Sequence, residues 1–214
     1  MGLKLSRKII DFRNQFLESI KKRSLLLYKI VIIPFSLLKF LYKKNKKKSY
    51  QKYSDNLDDI NKYEFKKTSQ NNEDGIIKDI FDRIKLKKIN FVEIGFDYYE
   101  NNSINFLDRA NKGLFIDGSK DKIFKLKSIM KLLYPFKNID VLPKFIDRDN
   151  LNEIINYYFN ELEIDFFSID VDGNDYYLFE NLEIRPKIIC IEYNFWFGPN
   201  IKCSIPYDKY FIWE

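Results

Sequence analysis

Residues 164–194 read IDFFSIDVDGNDYYLFENLEIRPKIICIEYN. Two apolar runs each end in a cluster of acidic and amide side chains. The first, Ile164 to Ile169, leads into Asp170, Asp172, Asn174 and Asp175; the second, Lys187 to Ile191, leads into Glu192 and Asn194. The amphipathic stretch Tyr176 to Leu182 joins them. That pattern predicts a strand, a crossover helix and a parallel strand. Ligands of open parallel sheets sit outside the carboxyl ends of the strands. Carboxylates gathered at two successive strand ends are therefore candidate site residues.

The same alternation extends upstream. Strands are predicted over Asn90–Gly95, Gly113–Gly118 and Asn138–Ile146. Helices are predicted over Ile76–Ile84, Ser103–Ala110, Lys120–Leu133 and Asn150–Leu162. Asn72, Glu73 and Asp74 offer capping groups for the first of these helices. Five strands alternating with helices predict an α/β fold, a doubly wound and mainly parallel sheet.

Composition removes whole classes of chemistry. The 214 residues include no histidine, which excludes histidine-ligated zinc, Ser-His-Asp catalysis and a histidine base. The two cysteines, Cys190 and Cys203, have no zinc spacing; Cys190 reads as a small core residue in a reducing compartment. Charge is segregated. Residues 1–50 hold 14 of the 37 Lys/Arg against only Asp11 and Glu18, so the remainder is net acidic although the chain as a whole carries +6. A nucleic-acid-binding body is disfavoured by that distribution.

Residues 1–48 read as a basic, amphipathic helical arm, and 49–68 as a polar linker to a body at 69–214. Within the arm, Ser24 to Tyr42 is mostly apolar, with Lys29, Pro34 and Lys39 inside it and cations at both ends. At 1.5 Å per residue it would reach about 28 Å, marginal for a bilayer core. Two readings stand beside a true span: an interfacial helix drawn to an anionic membrane surface, and a helix that packs on the body or on a partner. No signal-peptide cleavage site follows, which places the chain in the cytoplasm, peripheral to the inner membrane face in the first case.

The strand ends define what the body can do. Glu93 and Gly95 close the first strand, where a glycine lets backbone approach a ligand and the following segment offers free N–H groups. Asp117, followed by Gly118, closes the second, 22 residues beyond Gly95. An acid at that spacing suits the hydroxyls of an adenosine ribose, while the G-x-G-x-x-G fingerprint of NAD enzymes is missing. The run Asp170 to Asp175 is not a calcium loop, because Asp175 stands where the loop glycine belongs and Asn181 where its bidentate glutamate belongs. Asp170, Asp172, Glu192 and Asn194 remain as hard oxygen donors that would hold a divalent cation, or as a source of a general base toward a substrate hydroxyl.

These segments resemble one family. FVEIG (91–95), GLFIDGS (113–119), DFFSIDVDGNDYYLFENL (165–182), RPKIICIEYN (185–194) and the tail FGPN…PYDKYFIWE are similar to the FkbM-like class I S-adenosylmethionine-dependent methyltransferases, as are Ser69-Gln70 and Glu73-Asp74-Gly75 ahead of the first strand. The resemblance implies a Rossmann-like methyltransferase sheet with S-adenosylmethionine as cofactor. It implies donor binding by Glu93, Gly95, Asp117, Gly118 and Asp170, with Asp170, Asp172 and Glu192 beside the reacting atoms. The acceptor would be a hydroxyl or amine of a small molecule, a glycan or a lipid-linked sugar. No metal ligands are assigned, although a divalent ion is compatible with the carboxylates.

Two departures from the family shape further expectations. Tyr98 and Tyr99 stand where the family has small residues, which would narrow the donor site or stack on the donor. The family fold continues beyond its fifth strand, so the chain is expected to lack the last strands and to leave an unpaired apolar sheet edge. The alternative to an enzyme is then an inactive, truncated fold retained as a binding or scaffold protein.

Overall fold

A computed structural model describes residues 2–46, 49–50, 60–193, 196, 198 and 200–211. Asn194 lies outside the described residues. Helices α1 (Gly2–Arg23) and α2 (Leu25–Asn45) come first, broken only at Ser24. The Ser24 backbone is extended, and its hydroxyl accepts the Leu27 N–H at 3.3 Å, an N-cap that starts the second helix afresh.

The expected linker is in part structured. Ser49–Tyr50 (β1) pairs antiparallel with Phe65–Lys66 (β2), and a 3-10 turn spans Ile60–Tyr63. Phe65 and Thr68 are buried, so the packed body begins ahead of residue 69. The anchor is Asp74, in the first turn of α3 (Glu73–Arg83). Its carboxylate accepts the backbone N–H of Lys67, Thr68 and Ser69, each at 2.8 Å, and both hydroxyls of Thr68 and Ser69. Asn72 makes no side-chain cap at all. Asp74 thus reaches backward to fix the approach to the sheet, rather than satisfying its own helix.

The sheet follows the expected alternation. Its strands are β3 (Ile89–Ile94), β4 (Ala110–Asp117), β5 (Asn138–Pro143), β6 (Phe166–Ile169) and β7 (Ile188–Ile191). Their order is β5-β4-β3-β6-β7, and every pairing is parallel. The chain winds outward one way from β3 to β5, then returns to β6 on the other side of β3. The order reverses between β3 and β6, which is the switch point where such sheets place ligands.

Side-chain alternation gives the sheet two apolar faces. Phe91, Phe115 and Phe166 point to one layer with Phe81 of α3, Phe40 of α2 and Leu126 of α4 (Lys120–Leu133). Phe81 meets Phe106 and Phe166 edge to face, with ring centres 4.9 and 5.7 Å apart. Val92, Ile94, Leu114, Ile116, Phe167 and Ile169 point to the other layer, with Ile155 and Phe159 of α5 (Leu151–Phe159) and Leu178 of α6 (Asp175–Asn181). β7 is one of the two edge strands, and its four residues are half-buried.

Several boundaries differ from expectation: β4 starts at Ala110 rather than Gly113, β5 ends at Pro143 rather than Ile146, and two further elements change. Ser103–Ala110 is not an α-helix but a 3-10 turn at Ile104–Arg109. β4 already begins at Ala110, and the Asn101 side-chain carbonyl accepts the N–H of Ser103 and Ile104, so the segment is short and tightly started. α5 ends at Phe159 instead of Leu162, because Asn160 takes a left-handed backbone, φ +50°.

Candidate functional site

The parallel register puts Phe115, Glu93, Ser168 and Cys190 in one row across β4, β3, β6 and β7. Two residues further along each strand come Asp117, Gly95, Asp170 and Glu192. The ladder continues into them: Gly95 N–H donates to Ile116 O, Asp170 N–H to Ile94 O, and Glu192 N–H to Ile169 O, all at 2.9–3.1 Å. Four residues named from the sequence therefore form one row along the carboxyl rim, straddling the switch point.

Gly95 is required by packing. Its φ is +71°, and an added Cβ would sit 1.6 Å from the Asp170 carbonyl oxygen. The turn out of β3 thus lies directly on the turn out of β6. Asp117 ends β4 and is nearly buried. It accepts the Phe96 N–H at 3.2 Å and the Ser119 N–H at 2.6 Å, with the Lys122 ammonium 3.4 Å away. Gly118 lies against Phe145, whose ring would be 3.1 Å from an added Cβ.

Beyond β6 the acidic cluster differs in membership from the expected one. The carboxylates of Asp170, Asp175 and Glu192 have oxygens within 4.8 Å of one another. Asp172 stands apart, exposed, with a left-handed backbone at φ +55°. Asp175 is buried and accepts the N–H of Val171 and Gly173 at 2.8 Å each, which ties the turn shut. Burial pushes the Asp170 carboxyl up to about 7, helped by the negative charges of Glu192, Asp175 and Asp172 and opposed by Lys122. Glu192 is exposed, and its pKa is also raised, by desolvation and then by Asp175 and Asp172. At neutral pH the cluster is poised to take up or release a proton. The same three carboxylates are the ones that would hold a divalent cation; no second feature among the described residues points to one.

Glu93 is not on the rim but beneath it, fully buried. The Ser103 hydroxyl donates to one of its oxygens and the Asn102 N–H to the other, at 3.1 Å for the latter. The Asn102 amide also donates to Ser168 Oγ at 3.1 Å and reaches Cys190 Sγ at 3.4 Å. Burial raises the Glu93 carboxyl to about 8. The Glu93 side chain is thus closed off beneath the rim, where it binds Asn102 and Ser103. Asn101-Asn102-Ser103 also spells an N-glycosylation acceptor pattern, but its Asn101 is buried.

A pH dependence follows. The Glu93 pKa is higher folded than unfolded, so its contribution to stability is complete below about 4.5 and is lost as pH rises through about 8. Asp170 acts with the same sign, through about 7. Melting temperature should fall across that window in the parent. In Glu93→Gln it should fall less steeply, leaving mainly the Asp170 component; an unchanged slope would contradict a proton held at Glu93.

Tyr98 and Tyr99 are held by lysines of α2 and α4. Asp97 and Glu100 pair backbone to backbone at 3.2 Å, making a tight loop with both rings at its tip. The Lys39 ammonium of α2 lies 3.4 Å from the centre of the Tyr99 ring, and the Lys125 ammonium 5.1 Å from that of Tyr98. The rings are turned toward α2 and α4.

A segment to which the sequence pattern assigns no role covers part of the rim. Residues 200–211 fold back across the 172–177 turn. Asn174 Nδ2 donates to Asp208 O, and Tyr177 OH to Ile205 O, both at 2.7 Å. Arg148 stacks 4.0 Å from the Tyr207 ring centre, and Lys209 pairs with Asp147 and Asp149 at 3.0 and 2.9 Å. Phe211 and Ile205 occupy the space beside Gly173. Two hollows lie elsewhere, one at the opposite end of the sheet, around Leu162 and Pro186, and one on α1.

The geometry defines an open, doubly wound α/β sheet with an acidic site at its carboxyl rim. No family model and no curated protein matches the chain. A crystal structure of a candidate protein-L-isoaspartate O-methyltransferase from Plasmodium falciparum, in complex with S-adenosyl-L-homocysteine, is 12% identical, covers 72% of this chain and 71% of its own, and has a TM-score of 0.32. A likeness of that size carries no weight in assigning a reaction.

Proposed function

We propose that the chain is an S-adenosylmethionine-dependent methyltransferase acting on a hydroxyl or amine of a small molecule, a glycan or a lipid-linked sugar. The observation that supports this reading best is the single row of Asp117, Gly95, Asp170 and Glu192 across the switch point of the sheet. It brings together four of the residues picked out by the FkbM-like resemblance, with Glu93 beneath the row and Asp172 exposed beside it. Asp117 would hold the ribose hydroxyls through its remaining lone pairs. The turn after Gly95 would meet the donor with backbone, and Gly118 would leave room beside it.

The bound donor would supply an activated methyl group on a sulfonium. The chain's own task is alignment and proton removal. An acceptor O–H set beside Asp170 would pass its proton to that carboxylate. With a donor bound, the acceptor lone pair would form the new bond to the methyl carbon as the carbon–sulfur pair leaves with sulfur. With its pKa near neutrality, Asp170 accepts that proton readily yet returns it to water after each turnover. Glu192 and Asp175 keep that affinity high by repulsion. Asp172, exposed beside the cluster, would act through its charge on Asp170 and Glu192.

A second reading, a methyltransferase-like fold retained as a binding or scaffold module, is favoured by the tail across the 172–177 turn and by the tight Gly95–Asp170 contact. Isothermal titration of the full chain with S-adenosylmethionine separates the two. Saturable heat with one donor per chain supports the enzyme, and Asp117→Asn should then weaken binding about tenfold to a hundredfold, with a lower melting temperature because one of the two N–H groups that Asp117 accepts loses its partner. No heat at millimolar donor would leave the scaffold reading standing.

A further inference from the structure

α2 is two-faced in a way its composition hides. Tyr28, Ile32, Ser36 and Phe40, every fourth residue, are buried against the body. Tyr28 OH donates to Asp121 at 2.8 Å, at the start of α4; Lys44 pairs with Asp108 and donates to the hydroxyl of Tyr134, at the end of α4. The helix therefore runs alongside α4 for its whole length. Its internal lysines turn the same way. Lys29 lies 5.3 Å from the Phe124 ring centre, Lys39 covers Tyr99, and Lys43 pairs with Glu100 at 2.7 Å. Burial lowers the Lys39 pKa.

The outward face is what remains. Every exposed residue from Leu25 to Tyr42 is apolar or aromatic. The main ones are Leu26 at 69% exposure, Leu27, Ile30, Phe35, Leu38 at 65% and Tyr42 at 67%. At its ends stand exposed cations, Lys21, Lys22 and Arg23 before it and Lys46 after it. No acidic residue occurs from Ser19 to Ser54. The lysines that interrupt this stretch in the sequence are withdrawn to the protein side, so the interruption exists only on paper.

We propose that this face of α2 is a docking surface for an anionic lipid bilayer, with the helix lying in the plane of the interface. Exposed apolar surface of this extent marks an interaction site. Three observations select lipid over protein. The face carries no charged group that would set a register with a partner chain. Its cationic ends complement anionic headgroups, and the same ends would repel those of a second copy. A continuous apolar strip with cations at its margins is the pattern of an interfacial helix. Crossing the bilayer is incompatible with this packing, because Lys29, Lys39 and Lys43 and the whole of α4 lie along one side of the helix. The inference is independent of the reaction performed at the rim.

The test uses the full chain and two sets of vesicles, phosphatidylcholine alone and phosphatidylcholine mixed with phosphatidylglycerol, in a sedimentation assay. The parent should bind the mixed vesicles, and bind them less at high salt. The triple substitution Leu26→Gln, Ile30→Gln, Leu38→Gln touches only outward positions. It should lower vesicle binding at least about tenfold and leave the melting temperature unchanged. Charge removal at Lys21, Lys22 and Arg23 should weaken binding to the mixed vesicles and not alter the fold. Three results would overturn the proposal: a parent that stays in the supernatant with both vesicle sets, a triple variant that binds as the parent does, or parent oligomers that the triple substitution dissolves while vesicle binding is nil.

Discussion

Gly95→Ala is expected to prevent the body from folding, or to cost it about 4 kcal/mol or more. Two effects combine. A left-handed backbone alone costs a non-glycine residue about 1–2 kcal/mol. Steric overlap costs more: a methyl carbon 1.6 Å from the Asp170 carbonyl oxygen cannot be relieved by moving a side chain. The turns out of β3 and β6 would have to separate, and with them the Gly95 and Asp170 ladder bonds at 2.9 Å. Against the roughly 5–15 kcal/mol typical of a whole domain, such a loss leaves little. Soluble yield and urea unfolding read it directly. A variant that melts within about 2 °C of the parent would mean that the two turns do not touch.

The second large effect is on turnover. Asp170→Asn should lower kcat about 10²- to 10⁴-fold, the usual contribution of a general base. Parent activity should climb as pH rises through about 7, where Asp170 loses its proton; the residual activity of the variant should lack that rise. S-adenosylhomocysteine release in the presence of the acceptor is the measurement. Stability should move the other way. The substitution removes one of three crowded carboxylates, so the variant should be as stable as the parent or more so above neutral pH. Loss of both activity and fold would instead assign Asp170 a structural role.

The fold was largely legible because its strands and helices differ in period and are punctuated cleanly. Runs such as Phe91 to Ile94 and Phe166 to Ile169 are apolar on both faces, as a covered parallel strand requires. That same property hid Glu93. In a strand buried on both sides, a carboxylate near the end reads the same whether it opens onto the rim or lies under it. Only the segment that closes over it decides, and Asn102 and Ser103 come from a turn whose path the pattern does not specify. Asp175 is hard to tell from Asp172 for a related reason. The left-handed residue at 172 swings one acid out, and the helix start at 175 brings the other in. For α2, a helix apolar nearly all round has no preferred inward stripe in its sequence. Its orientation is set by Asp121, Tyr99 and Glu100, far along the chain, and by the aromatic rings that draw the lysines inward.

That last pairing has a consequence for the order in which the protein is made. Tyr28 meets Asp121, 93 residues later, and Lys44 meets Tyr134, 90 residues later. At a synthesis rate of about 5–20 residues per second, α2 waits roughly 5–20 s before its groove on α4 exists. Throughout that interval the nascent helix has neither face covered, and whatever greasy surface or chaperone it meets first at the ribosome exit competes with the rest of its own chain.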